Sequence, residues 1–144
     1  NSELMLEQGC KGFFIMAEGS QIDWEGHDND FKGLYVEIEE FENAVTSALA
    51  FAMNRQDTLV IVTADHETGG LLIEKDTLRY KETNQMKVSW NTAVGKGDHT
   101  GSMVPIFAYG PGSENFTGIL DNTDIFFAMQ EAIGINDLPD GSCY

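Results

Sequence analysis

The stretch Thr58-Leu59-Val60-Ile61-Val62-Thr63-Ala64-Asp65-His66-Glu67-Thr68-Gly69-Gly70 decides how this chain is read. Its first half is a short apolar run rich in β-branched residues, the pattern of a strand buried on both faces in a parallel sheet. The run stops at Asp65-His66, and Thr68-Gly69-Gly70 follows. Ligands of open α/β sheets bind beyond the carboxyl ends of the strands. Asp65 and His66 therefore stand where such a protein does its chemistry, and both residue types ligate metals. A lone Asp-His pair is more often a cap and a surface histidine; the surrounding chain decides between the two.

Upstream, Gly12-Phe13-Phe14-Ile15-Met16-Ala17 is a second apolar run, which reads as another buried strand ending at Glu18-Gly19-Ser20. Residues 2–8 read as the end of a helix with Gly9 as its C-cap. Residues 31–35 read as a connector. Over residues 37–54, Phe41, Val45, Leu49 and Met53, with Ala44, Ala48 and Ala52 beside them, form a helical stripe. Acidic residues gather at its start, where the helix dipole favours them. Strand, helix and strand predict a right-handed βαβ unit.

Downstream, Leu71-Leu72-Ile73 reads as a short strand, and residues 76–97 as a polar insertion in which 87–90 alternate like a surface strand. Residues 104–109 are a further strand candidate, with Pro105 at its start or on a sheet edge. Asp121-Asn122-Thr123-Asp124 can start a helix over 125–133 that Gly134 ends. The expected fold class is α/β, a mostly parallel sheet flanked by helices, with residues 1–144 forming one unit. Its strands are expected near residues 12–17, 58–63 and 104–109.

The 144 residues suffice for a core, and 42% hydrophobic content argues against a disordered chain. No apolar run is long enough to span a bilayer. The net charge of -16, from 24 acidic and 8 basic residues, disfavours a nucleic-acid partner. It also repels small anions unless bound cations reverse the local field; most of it reads as a solvated acidic surface. Cys10 and Cys143 form neither a disulfide framework nor a zinc motif and read as one buried and one tail thiol. No signal peptide is visible, but a chain beginning at Asn1 says little about localisation.

The polar residues at the strand ends belong together. Asp23 and His27 are four apart, which on a helical turn puts carboxylate and imidazole on one face. Glu18 ends the preceding strand candidate. His99, in Gly97-Asp98-His99-Thr100-Gly101, enters another. His27, His66 and His99 are all the histidines of the chain, and each falls in a strand-end loop beside acids. Glu18, Asp23, His27, Asp65, His66 and His99 exceed what one tetrahedral zinc needs. Two metals, about 3.5–4 Å apart in such sites, would use them better.

Glu-Gly-x-x-Ile-Asp-x-x-x-His at residues 18–27, Thr-Ala-Asp-His at 63–66 and His-Thr-Gly at 99–101 together resemble the alkaline phosphatase family, in the family's order. The resemblance extends to about Gly134. It implies two zinc ions and one magnesium ion: Asp23, His27 and His99 on one zinc, Asp65 and His66 contributing to the second, and Glu18 on magnesium. It implies hydrolysis of phosphate monoesters through a phosphoserine intermediate. The zinc of Asp23, His27 and His99 would stabilise the leaving oxygen and then activate water, and that of Asp65 and His66 would activate the serine. It also implies a periplasmic or secreted protein, with a homodimer among its compatible assemblies.

The family's nucleophilic serine, its bridging aspartate, its phosphate-clamping arginine and its magnesium-ligating threonine precede the segment seen here. Ser20 and Ser102 do not match the nucleophile's setting. The chain is thus expected to be a C-terminal portion of the enzyme, partnered by the upstream part and lacking most activity alone. Trp24 is a candidate wall of the phosphate site or a loop anchor. Glu67 is a candidate outer carboxylate or a cap, and Phe126 and Phe127 read as helix packing. Cofactor-independent phosphoglycerate mutases and phosphodiesterases use similar pieces, but Glu18 placed five residues before Asp23 favours the phosphatase. A non-catalytic metal-binding module is the other alternative.

Overall fold

The computed structural model describes residues 12–75, 86–93 and 97–134, and in it two helices follow directly on one another. Helix α1, Gln21–Asp28, ends at Asn29, whose left-handed backbone (φ 53°) turns its N–H back to the carbonyls of Glu25 and Gly26. Asn is one of the few non-glycine residues that takes this conformation readily. Asp30 then caps helix α2, Phe31–Met53, by accepting from the backbone N–H groups of Lys32 and Gly33. The Glu25 side chain lies over Gly33, where any Cβ would collide with it.

Helix α2 thus starts earlier than the hydrophobic stripe alone predicts. Residues 31–35 are its first turn and not a connector. The acids from Glu37 to Glu42 lie along its body and not at its positive end. Asp30 supplies the N-terminal anion as a cap, and Gly33, within the stretch read as a connector, lies under the Glu25 side chain.

Strand β1, Val60–Val62, pairs antiparallel with β6, Phe107–Tyr109, Ile61 opposite Ala108. Strand β2, Glu67–Thr68, pairs antiparallel with β5, His99–Thr100. Strand β3, Leu71–Lys75, pairs antiparallel with β4, Met86–Trp90, which matches the two strand signals at residues 71–73 and 87–90. Pro105 precedes β6, where its missing N–H disturbs no ladder.

The expected mostly parallel sheet is corrected here: among the described residues every pairing is antiparallel and each sheet has two strands. Residues 12–17 are not a strand. A strand exists only by pairing, and this apolar run meets no partner backbone among the described residues; Phe14, Ile15 and Met16 are exposed. The βαβ unit is therefore not formed by this run. Nor is β1 buried on both faces. It is half-buried, with α2 against it and β6 as its neighbour.

After β6, a short 3-10 turn, Ser113–Phe116, leads to helix α3, Asp124–Ile133. Asp121 accepts from the N–H and hydroxyl of Thr123, Asp124 accepts from the Asp121 N–H, and Gly134 ends the helix in a left-handed conformation (φ 69°). Start and stop both match the sequence signals. Among the described residues the buried apolar side chains are Leu34, Ala52, Phe116 and Ala128. Residues 2–9, Cys10, Cys143 and residues 76–85 and 94–96 of the polar insertion lie outside the described residues.

Candidate metal centre

Helix α1 places Asp23 and His27 one turn apart, with Asp23 Oδ2 3.4 Å from His27 Nε2. The β2–β5 pair carries His99 to the same point. Its Nε2 lies 3.5 Å from Asp23 Oδ1 and 3.2 Å from His27 Nε2. Asp23, His27 and His99 thus offer three ligand atoms within 4.8 Å of one another. Two neutral imidazoles and one carboxylate are a donor set suited to zinc.

The ring of His27 is held from behind. Its Nδ1 lies 2.6 Å from the Gly97 carbonyl oxygen, which can only accept, so Nδ1 carries the hydrogen and Nε2 keeps the lone pair of the neutral ring. The Gly97 N–H returns a bond of 3.0 Å to the His27 carbonyl. A Cβ at Gly97 would lie 2.5 Å from that carbonyl oxygen and 2.8 Å from that of Gly26. Glycine is therefore what lets this loop lie against the end of α1.

His66 stacks on His99, ring centroids 3.5 Å apart and 20° from parallel. Its Nε2 is 3.4 Å from Asp65 Oδ2, and the Asp65 side chain is 86% exposed. The hydroxyl of Thr68 lies between the two groups, donating to Asp23 Oδ1 at 2.5 Å and facing His66 Nδ1 at 3.1 Å.

Glu67 points the other way along β2. It accepts from the backbone N–H groups of Gly70 and Leu71 and from the Thr100 hydroxyl. Burial pushes its carboxyl up, but the bonds from Thr100, Leu71 and Gly70, with the nearby His66, outweigh this and hold it below the ordinary value. It therefore acts as the clasp of the β2 turn and its β5 partner.

The family model described as alkaline phosphatase matches residues 4–83 and 72–135. The chain belongs to the alkaline phosphatase family. It is 36% identical to Alkaline phosphatase 4 of Bacillus subtilis (strain 168) over 83% of this chain and 39% of that protein. It is 37% identical to the alkaline phosphatase of Escherichia coli (strain K12) over 91% of this chain and 30% of that protein. Among solved structures, the alkaline phosphatase from the Antarctic bacterium TAB5 superposes with a TM-score of 0.75 at 45% identity, over 87% of this chain and 36% of that one. A variant of the TAB5 enzyme, similar at a TM-score of 0.76, was solved with Mg bound in its M3 site. The chain thus spans between three and four tenths of the length of these relatives.

Of the residues singled out by sequence, Asp23, His27 and His99 converge, and His66 joins them by stacking. Asp65 is adjacent to His66 but projects into solvent. Glu18 is exposed just before α1 and is not part of the three-ligand group. Trp24 lies on α1 beside Asp23 and is 60% exposed.

Sequence reasoning missed Thr68, Asn29 and Thr92. Asn29 donates its side-chain N–H to the Thr92 carbonyl at 2.8 Å, and the Thr92 hydroxyl lies within hydrogen-bond reach of both Asn29 Oδ1 and the Gly69 carbonyl. This latch ties the end of α1 to the turn that follows β2. Asn29 ahead of the Asp30 cap was the available signal for it. Thr68, a β-branched residue beside Gly-Gly, gave none.

Proposed function

We propose that this chain supplies the metal-holding part of a phosphomonoesterase that hydrolyses small phosphate monoesters. The observation that carries the reading is the convergence of Asp23, His27 and His99, brought together from α1 and β5. In this reading they hold one zinc, Asp65 and His66 contribute to a second, and Glu18 serves magnesium. Zinc so held supplies Lewis-acid stabilisation of a leaving oxygen and a lowered pKa for bound water. Cations there would also offset the net charge of -16 that otherwise repels a phosphate dianion.

The chain's own residues have the remaining tasks. Gly97 fixes the His27 ring through its carbonyl, and Asp23 adds negative charge between the two imidazoles. Trp24, exposed on α1 and next to Asp23 in the chain, would wall the phosphate site in this reading. The nucleophilic serine of the phosphoserine route is assigned upstream of this segment, so the isolated chain is not expected to turn over. A periplasmic or secreted location and a homodimer are part of the same proposal. Among the described residues no helix is long and apolar enough to cross a membrane.

The test is hydrolysis of p-nitrophenyl phosphate with zinc and magnesium, by the 144-residue chain and by the full-length protein. The full-length protein is expected to be active and the chain alone inactive. His99→Ala in the full-length protein is expected to lower the rate by about 100-fold or more, the scale on which removal of metal support acts. Undiminished hydrolysis by that variant rejects the assignment.

A further inference from the structure

We propose that Thr68 is a positioning residue that couples the Asp23–His27–His99 set to the Asp65–His66 pair through one hydroxyl and sets the tautomer of His66. The proposal rests on the metal reading above and goes beyond it in naming a residue that binds no metal.

A hydroxyl has one hydrogen and two lone pairs, and an ionised carboxylate only accepts. Thr68 Oγ1 lies 2.5 Å from Asp23 Oδ1, so its hydrogen is committed to Asp23. The same oxygen then presents a lone pair to His66 Nδ1 at 3.1 Å, and Nδ1 must carry the hydrogen. In the neutral ring this leaves the lone pair on His66 Nε2, the atom 3.4 Å from Asp65 Oδ2. Two electron-rich atoms are thereby turned towards one another, an arrangement that a cation between them satisfies. One side chain thus orients Asp23 of the three-ligand set and His66 of the pair.

Thr68 is also packed. A Cβ at Gly26 would lie 3.1 Å from the Cβ and Cγ2 of Thr68, so β2 and α1 touch at this point. Packing and hydroxyl are separable by substitution. Thr68→Val keeps the branched shape against Gly26 and removes the hydroxyl. Thr68→Ser keeps the hydroxyl and removes the methyl.

The experiment uses the full-length protein, labelled with 15N-histidine, at a pH where the rings are neutral. The metal-free unaltered protein is expected to show His66 as the Nδ1–H tautomer, and Thr68→Val to lose that preference. Zinc affinity, read by chelator competition, is expected to fall about 10- to 100-fold in Thr68→Val, the usual cost of removing a hydrogen-bond partner of a ligand. Thr68→Ser is expected to restore both readouts. An Nε2–H tautomer in the unaltered protein overturns the proposal, and so does a serine variant as weak as the valine one. Zinc binding that His99→Ala abolishes but Thr68→Val leaves untouched overturns the role of Thr68 alone. No zinc binding by the unaltered protein overturns the metal reading on which it rests.

Discussion

His27 Nε2 and His99 Nε2 face each other at 3.2 Å, although the two residues are 72 positions apart. Two nitrogens each about 2.05 Å from one tetrahedral zinc stand about 3.3 Å apart. The separations of Asp23 oxygens from the two nitrogens, 3.4 and 3.5 Å, are close to the same edge length. Asp23 turns one oxygen to each ring, with Oδ1 also held by the Thr68 hydroxyl. A cation bound by this set would meet side chains already near ligand spacing, which lowers the ordering cost of binding.

Calorimetric titration with zinc is therefore expected to show one tighter site on Asp23, His27 and His99. Asp65 and His66, the former exposed, give only a weaker one in this chain. His99→Ala should abolish the tighter site. An unchanged isotherm would count against the assignment.

Gly97→Ala tests the loop behind His27. The added Cβ would meet the His27 and Gly26 carbonyl oxygens at 2.5 and 2.8 Å, both rigid backbone atoms. The loop must move away, and the His27 Nδ1 bond to Gly97 O is expected to lengthen or break. Overpacking of this kind costs about 1–3 kcal/mol. Thermal denaturation should register that loss, and zinc affinity should fall with it. A variant with unaltered stability and affinity would show that the loop is freer than its contacts imply.

Asp23 and His27 were legible because a four-residue spacing is local information, although the stretch that carries His27, read as a strand-end loop, is helix α1. The strand positions near β1, β3, β4 and β6 were legible from apolar and alternating runs. Strand direction was not. It depends on which backbone lies alongside, and the pairing of Val60 with Tyr109 is a non-local fact. Residues 12–17 carry the same apolar signal as β1 yet form no strand, because propensity without a partner among the described residues leaves the ladder empty. The convergence of His99 on α1 was likewise suggested by motif order alone. Its physical cause is the Glu67–Thr100 and Thr68–His99 register.

Glu67 gives a pH prediction. Its carboxyl is held below the ordinary value because, against burial, three hydrogen bonds favour the ionised form. A depressed folded value means the contribution to stability is full above the ordinary value of 4.5 and is lost as the pH falls through the lower folded value. Glu67→Gln should therefore be less stable than the unaltered chain at neutral pH, and the gap should close in acid. Denaturant melts at several pH values check this. A gap that widens on acidification would reverse the assigned sign.

Val45, Leu49 and Met53 of α2 face Val60 and Val62 of β1 and Phe107 of β6 across an open groove. Met53 and Phe107 are largely exposed there, and Phe14, Ile15 and Met16 are exposed elsewhere. Among the described residues the two-stranded ladders leave outer backbone groups without a strand partner, and such edges recruit other chains. Apolar patches of this kind act likewise. The net charge of -16 opposes association at long range. That repulsion is screened beyond about 8 Å at physiological salt, while apolar contact is not. The 144-residue chain alone is expected to sediment as a concentration-dependent mixture. Association should strengthen as salt is raised, since added salt weakens only the opposing term. Met53→Lys and Phe107→Lys, which place charge on the groove, should shift it towards monomer. A monomer at every concentration and salt would mean that the groove closes on itself in solution.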